Sequence, residues 1–181
     1  MPLGVGDPAR GVTLHIHEKD AAVFKKLALL CLGLMLASAW AAGPAWSAVD
    51  KKQDKEVQAL VKAAVKQIKA KGEAALPEFS KPGSKWLKGG HYIFVFDETG
   101  LELANGAAPQ LEGKNFWDFQ DAGGAYVTRD ELALVKAKGK GWMEVFWPKP
   151  GQDKPEKCRV YLQGVKLKGK LLVVGSAYWL K

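Results

Sequence analysis

The stretch of residues 57–68 constrains the fold more than any other, because its apolar residues recur at the spacing of one helical face. These residues are Val57, Leu60, Val61, Ala64, Val65 and Ile68, at i, i+3, i+4, i+7, i+8 and i+11. The opposite side carries Lys55, Lys62, Lys66 and Lys69, which we expect to form a solvated face rather than a surface for lipid or nucleic acid. The pattern predicts a helix that Asp50 caps and Gly72 ends, with an apolar stripe that another layer must cover.

Beyond residue 90 the pattern changes to short runs of aromatic and β-branched residues, which favour strands. The predicted strands cover residues 92–96, 101–105, 142–147, 159–165 and 171–179. A turn over residues 97–100 joins the first two, and Thr128 with Glu131 has the spacing of a capping box that opens a helix ending at Gly139. Short connections favour antiparallel pairing. The sequence therefore predicts an α+β fold, with a long N-terminal helix packed on a five-stranded antiparallel sheet.

The first quarter of the chain has the composition of an export signal. Lys25 and Lys26 precede an uncharged apolar run at residues 27–40, which has the length of a signal-peptide core. An uncleaved anchor in the inner membrane is the alternative, because the uncharged run continues to residue 49 and is long enough to span a bilayer. We expect an over-extended or disordered leader, a signal peptide and one periplasmic or secreted domain, at residues 1–22, 23–48 and 49–181.

Cleavage of this signal should release a protein whose first residue lies near Ala48. The sequence Ala45-Trp46-Ser47 supports this prediction, since it places small residues at the −3 and −1 positions of a cleavage site. N-terminal sequencing or the intact mass of the exported protein measures the outcome. A mass that retains residues 27–46 would contradict cleavage and indicate an anchored protein.

Charge allows a polyanionic partner without identifying one. The chain carries 27 basic and 19 acidic residues, a net charge of +8, and loss of the first 47 residues would leave a net charge of +7. The lysines are spread along the chain rather than clustered, and export removes the usual nucleic-acid partners, so we expect no nucleic-acid binding. Binding to an anionic surface polymer or lipid is the alternative function.

Few residues after the signal peptide have catalytic chemistry. His91 is the one histidine there and Cys158 the one cysteine. A Ser-His-Asp triad would need His91 beside Ser80, Ser84 or Ser176, and a single cysteine in a strand is usually a small apolar core residue. We therefore expect no enzyme activity, no metal site and no cofactor.

Five short sequences in the second half of the chain follow one another in a characteristic order. They are Tyr92-Ile93-Phe94-Val95-Phe96-Asp97, Leu111-Glu112-Gly113-Lys114-Asn115, Asp121-Ala122-Gly123-Gly124, Gly139-Lys140-Gly141-Trp142 and Trp147-Pro148-Lys149-Pro150. The series resembles the single Cache domains of the second type, which are extracytoplasmic sensor modules of bacteria. The resemblance extends over about residues 50–181 and implies a PAS-like fold. It also implies that small organic ligands, often carboxylates, bind in a pocket on one face of the sheet.

Most members of that family belong to chemoreceptors or sensor kinases. This sequence contains no second transmembrane helix and no signalling domain, so the resemblance implies a stand-alone binding protein outside the cytoplasm. Its expected partners are a small organic molecule and a membrane receptor or sensor kinase. The residues that we expect to bind the ligand are Asn105, Trp117, Asp121, Tyr126, Trp147, Lys157, Tyr161 and Tyr178. Phe94, Phe96 and Trp142 are expected either near the pocket or in the core of the sheet face.

Three positions depart from the family pattern, and the departures replace or displace polar groups that could bind an acid. Asn105 stands where the family often has His, Val145 where it has Tyr, and either Lys157 or Cys158 aligns with its usual Lys. A buried carboxylate requires a cationic or multi-donor partner. We therefore expect a ligand that is less acidic or larger than a two- or three-carbon carboxylate. The alternative is that Lys157, Arg159 and Tyr161, which share one strand face, line the pocket and bind a carboxylate.

Overall fold

The structure is a computed structural model that describes residues 49–181. The leader and signal peptide predicted at residues 1–48 lie outside the described residues. Helix α1 is Lys51–Lys71, α2 is Leu76–Ser80 and α3 is Val127–Lys138. The strands are β1 (Leu87–Lys88), β2 (His91–Tyr92), β3 (Phe94–Asp97), β4 (Glu102–Asn105), β5 (Lys140–Pro148), β6 (Pro155–Leu167) and β7 (Lys170–Trp179). No helix in this part of the chain is long and apolar enough to cross a membrane.

Helix α1 begins and ends where the sequence predicts. The Asp50 carboxylate accepts hydrogen bonds from the backbone N–H groups of Lys52 and Gln53, at 2.9 and 3.2 Å, so two of the unpaired donors of the first turn are satisfied. Gly72 ends the helix with a positive φ of 65°. The predicted apolar positions are buried except for Leu60, which is partly buried, and the four lysines of the opposite face are exposed.

Five strands form one antiparallel sheet in the order β4-β3-β7-β6-β5, which confirms the predicted α+β architecture. The first predicted strand is divided at Ile93. Its first part, β2, pairs with β1 in a separate small sheet, while its second part, β3, pairs with β4 and β7. The backbone N–H of Thr99 donates to the Asp97 carboxylate at 2.9 Å and stabilises the predicted turn between β3 and β4.

Side chains alternate along each strand, so the sheet has two apolar faces, and a helix covers each of them. The apolar stripe of α1 packs on one face against residues such as Ile93 and Val174. Helix α3 packs on the opposite face, where Leu132 and Val135 join Val173 in a second core. A helix on each side leaves room for a cavity wherever the smaller helix does not fill the space above the sheet.

The predicted capping box at the start of α3 is wrong. The helix begins at Val127 with Tyr126 as its N-cap, and no side chain of the described residues caps it. Thr128 and Glu131 lie inside the helix and are buried. Residues three apart share one helical face, and here that face is turned toward the sheet rather than toward the N-terminal N–H groups.

Candidate ligand-binding site

A cavity of about 60 Å³ lies against the sheet face that is opposite to α1, next to α3 and the loop that follows β4. Five aromatic residues line it, namely Tyr92, Phe94, Phe96, Phe116 and Trp147. Strands β5, β6 and β7 contribute Val145, Cys158, Val160 and Ala177. Its polar lining residues are Glu102, Asn105, Thr128 and Glu131. Among the described residues, no lysine, arginine or histidine lines this cavity.

One wall of the cavity depends on a glycine in β7. The ring of Phe94 lies over Gly175, where a Cβ atom would be only 2.1 Å from the Phe94 Cζ atom. The close approach lets Phe94 lie parallel to Phe96, with an angle of 5° between ring planes and 6.4 Å between centroids. The two stacked rings present an apolar surface to whatever occupies the cavity.

Trp147 lies near the end of β5 within an aromatic cluster. The Phe116 and Phe119 rings lie edge-on to it, with centroids at 6.2 and 5.3 Å. The Trp179 indole N–H donates to the Trp147 carbonyl oxygen at 2.9 Å, which ties this end of β5 to β7. The cluster therefore holds the Trp147 ring at the cavity wall.

Glu102, at the start of β4, is the first of two buried carboxyls in the cavity. Its side chain is 7% exposed, and its Oε1 accepts a hydrogen bond of 2.9 Å from Asn105 Nδ2. The Asn105 Oδ1 accepts from the backbone N–H groups of Ala107 and Ala108, at 3.2 and 2.9 Å, so the loop fixes this amide. Burial raises the pKa of Glu102 to about 8, although the Asn105 hydrogen bond opposes the rise.

Glu131, on α3, is the second buried carboxyl. It is 5% exposed, and its side chain forms no hydrogen bond with any residue in the described part of the chain. Burial, followed by the negative charges of Glu102 and Asp130, raises the pKa of Glu131 well above its usual value. Burial and the charge of Glu131 similarly raise the pKa of the Cys158 thiol to about 12. The neighbouring groups whose charges raise these pKa values are all acidic, so both carboxyls stay protonated to a higher pH than usual and a cation in the cavity would favour their ionisation.

The structure places two of the eight predicted ligand-binding residues at the cavity. These are Asn105 and Trp147, and Phe94 and Phe96 also line it. The other six predicted residues lie elsewhere, either on the opposite sheet face or in the loop before α3.

Lys157, Tyr161 and Tyr178 lie on the face that α1 covers. Lys157 Nζ forms an ion pair with Glu144 at 2.7 Å. The Tyr178 hydroxyl donates to Asp54 of α1 at 2.9 Å, and Arg159 Nε pairs with the same carboxylate oxygen at 3.1 Å. Trp142 also belongs to this side, with its ring 5.1 Å from that of Tyr161. The alternate residues Cys158 and Val160 face the cavity instead.

Asp121 shapes the loop before α3. It accepts hydrogen bonds from the backbone N–H groups of Gly123, Ala125 and Phe146, at 2.8, 3.0 and 2.9 Å. Burial acts to raise the pKa of Asp121, but these hydrogen bonds hold it below its usual value. Asp121 thus anchors the loop to the edge strand β5.

Trp117 and Tyr126 are exposed and do not line the cavity. Both rings contact Arg129, whose guanidinium carbon lies 5.4 Å from the Trp117 centroid and 4.0 Å from the Tyr126 centroid. The Arg129 side chain also donates to the Trp117 carbonyl oxygen at 2.8 Å and pairs with Asp118. These residues form a surface cation–π cluster.

Sequence reasoning did not identify Glu102, Thr128 and Glu131 as site residues. A signal for Glu131 was present, because it lies three residues after Thr128 and directly before Leu132, on the helix face that carries Leu132 and Val135. An acidic residue on an apolar face must either be paired or serve a site. The sequence around Glu102 gave a weaker indication of a site, since the alternation of side chains along a short strand does not show which face of the sheet will be covered.

Comparison with known proteins identifies relatives of this fold. A family model described as "Single Cache domain 2" matches residues 45–178. A solved periplasmic sensor domain of a chemotaxis protein is 26% identical, with a TM-score of 0.58, covering 72% of this chain and 96% of the other. A Cache chemosensory domain, whose structure was described as a basis for carboxylic acid recognition, is 25% identical with a TM-score of 0.60, covering 72% and 95%. A methyl-accepting chemotaxis protein from Vibrio parahaemolyticus, 21% identical, shares the fold with a TM-score of 0.57 and coverage of 71% and 88%.

Proposed function

Because this chain belongs to the single Cache domain family of the second type, we propose that it is a sensor-type module that binds a small organic molecule outside the cytoplasm. The observation that carries the proposal is the aromatic-lined cavity between the sheet and α3. Concave, mostly apolar sites with a few polar groups are typical of small-ligand pockets. In this proposal a membrane receptor or sensor kinase reads the occupied domain.

The placement of His91 and the chemistry of Cys158 support ligand binding rather than catalysis. His91, the one histidine among the described residues, does not line the cavity. Its Nδ1 lies 3.2 Å from the Ala177 carbonyl oxygen, and its Nε2 lies 3.5 Å from Glu56 of α1. The Cys158 thiol faces the cavity with a raised pKa, which disfavours the reactive thiolate. The family is a ligand-binding sensor family rather than a class of enzymes.

Trp147→Ala should abolish the rise in melting temperature that a bound ligand produces, while the domain stays folded. The substitution removes an aromatic wall of the cavity but keeps the backbone carbonyl that accepts from Trp179. A ligand that binds only the folded state raises the melting temperature, so a thermal-shift screen of organic acids, amines and purines measures the response.

Trp117→Ala is the matched control, because it removes an equal side chain from the exposed cluster around Arg129. We expect this variant to keep the full response. An unchanged response in Trp147→Ala would remove Trp147 from the site. A screen in which no compound shifts the melting temperature, with salt-dependent retention on heparin, would favour the polyanion-binding alternative.

A further inference from the structure

We propose that the ligand of this cavity is a small organic ammonium ion, bound by the carboxylates of Glu102 and Glu131 and enclosed by the aromatic walls. The inference rests on the proposed function and assigns a chemical class to its ligand. The charged and hydrogen-bonding groups around the cavity support this class. A buried carboxylate ligand requires a cationic or multi-donor partner, and no lysine, arginine or histidine of the described residues lines the cavity.

The first argument is the unpartnered carboxyl of Glu131. This side chain is 95% buried and lines the cavity, yet no described residue donates a hydrogen bond to it. Glu102 has one oxygen bonded to Asn105 and the other without a donor among the described residues. The fully buried side-chain atoms without a partner in the described part of the chain are Gln163 Oε1 and Ser176 Oγ. The incompletely paired carboxyls of Glu102 and Glu131 therefore reach the cavity space, where a donor from outside the chain can bind them. An ammonium group provides up to three N–H donors and the compensating charge.

The second argument is the composition of the walls. Phe94, Phe96, Phe116, Trp147 and Tyr92 line the same small space as the two carboxyls. Aromatic faces attract organic cations, most strongly where water is excluded. An apolar substituent on the ammonium nitrogen would pack against the same rings. A metal ion fits less well, because Ca²⁺ requires six to eight oxygen ligands and Mg²⁺ near-ideal octahedral coordination, and the described residues contain no cluster of three or more metal-binding side chains.

Charge distinguishes an ammonium ligand from a carboxylate ligand, because the two depend in opposite ways on the ionisation of Glu102 and Glu131. Once these carboxyls ionise, an anionic ligand would be a third negative group in a cavity that no cationic side chain of the described residues lines. Lys157 and Arg159, the cationic side chains next to the cavity residue Cys158 in the sequence, lie on the other face of β6. There Lys157 forms an ion pair with Glu144, and Arg159 forms one with Asp54. Binding an anion would therefore require each carboxyl to stay protonated, and this requirement becomes harder to meet as the pH rises.

The two ligand classes thus predict opposite pH dependence. An ammonium ion binds the ionised carboxylates, so it displaces their protons and its affinity should increase between pH 6 and pH 8. A carboxylate needs the protonated form, so its affinity should decrease over the same range. Each element around the two carboxyls contributes a titratable group that is an acid. They are Tyr92 on β2, Glu112 in the loop after β4, Asp121 before α3, Asp130 on α3 and Cys158 on β6.

The experiment compares three probes of similar size and different charge: propylammonium, 1-propanol and propionate. Each is titrated into the full exported chain by calorimetry at pH 6, 7 and 8, in two buffers with different ionisation enthalpies. We expect propylammonium to bind most tightly and to release protons at pH 7. Glu131→Gln and Glu102→Gln should each lower its affinity about 10- to 100-fold, the typical range for a charge-assisted hydrogen bond. Glu98→Gln, the same change at an exposed position in the turn between β3 and β4 that does not line the cavity, should leave the affinity almost unchanged.

Four results would count against the inference. Tighter binding of propionate, or an affinity for propylammonium that does not depend on Glu131 or Glu102, would assign another ligand class while the proposed binding function stands. Binding of propylammonium without proton release would show that the carboxyls are not its partners. Failure of every probe, together with failure of the wider thermal-shift screen, would overturn the proposed function itself. Circular dichroism of each variant separates loss of binding from loss of folding.

Discussion

Replacing both buried carboxyls, Glu102→Gln together with Glu131→Gln, should stabilise the empty domain at pH 8 by several kcal/mol and leave its stability nearly unchanged at pH 4. Each carboxyl is at least 93% buried and faces a cavity that no cationic side chain of residues 49–181 lines. Glutamine keeps the shape of the side chain and removes the cost of a buried charge. The effect should therefore appear only where the wild-type carboxyls would otherwise ionise.

The raised pKa values of the two carboxyls determine whether the free energy of unfolding rises or falls with pH. The pKa of Glu102 rises from 4.5 to about 8 on folding, because of its burial. Between these two values the unfolded chain has lost the proton and the folded chain still holds it, so the free energy of unfolding falls as the pH rises. One pKa unit corresponds to about 1.36 kcal/mol, so Glu102 alone lowers the stability at pH 8 by roughly 3–5 kcal/mol. The raised pKa of Glu131 acts in the same direction.

Urea unfolding of the wild type and the double variant at pH 4, 6 and 8 measures this effect. The difference between the two proteins is the relevant quantity, because Asp121, with its lowered pKa, adds the opposite slope in acid to both of them. Glu98→Gln, the same change at an exposed position, serves as the control and should show no such pH-dependent gain. A constant difference across the pH range would mean that the two carboxyls titrate normally in the folded state.

Phe79→Ala should lower the free energy of unfolding by about 3–5 kcal/mol, the usual cost of removing a buried phenylalanine ring. Phe79 is fully buried, and its ring lies edge-on to Trp86 with 4.9 Å between centroids. It belongs to α2 and packs into the core on the α1 side of the sheet. The loss combines the transfer of the ring to water with the cavity that remains.

Leu87→Ala is the comparison for Phe79→Ala, since Leu87 is 40% exposed in the neighbouring strand β1. This control should change the stability by about 0.5 kcal/mol or less. Denaturant unfolding monitored by tryptophan fluorescence measures both variants. Similar small losses in the two variants would show that α2 contributes little to the core.

The acidic cavity changes what the family relationship implies for this chain. A solved relative with 25% identity was described in terms of carboxylic acid recognition. Here the cavity has Glu102, Glu131 and Asn105 as its main polar groups, and none of its lining residues in the described part of the chain is basic. Relatives can share a fold and still bind different ligands, because the ligand is chosen by a few side chains that the fold tolerates.

The fold could be predicted because its signals are local. The stripe from Val57 to Ile68 has a helical period that no strand can satisfy, and Asp50 and Gly72 mark its ends with side-chain and backbone chemistry. The short, β-branched strand segments and their tight turns similarly favour antiparallel pairing. The segment containing α2 gave no such signal, since a helix of five residues is stabilised mainly by the burial of Phe79 rather than by its own sequence.

The sequence by itself determined helix α1, the main strands and their antiparallel architecture, because these depend on patterns within a few neighbouring residues. It determined the family through the order of five short motifs between residues 92 and 150. Only the tertiary structure decided which strand face carries the aromatic-lined cavity. That choice placed Cys158 and Val160 at the cavity and turned Lys157 and Tyr161 toward α1. It also brought Glu102 and Glu131 into one space, although 29 positions separate them in the chain. The physical reason is that a strand presents alternate residues to its two faces, and the packing of α1 and α3 assigns each face its cover.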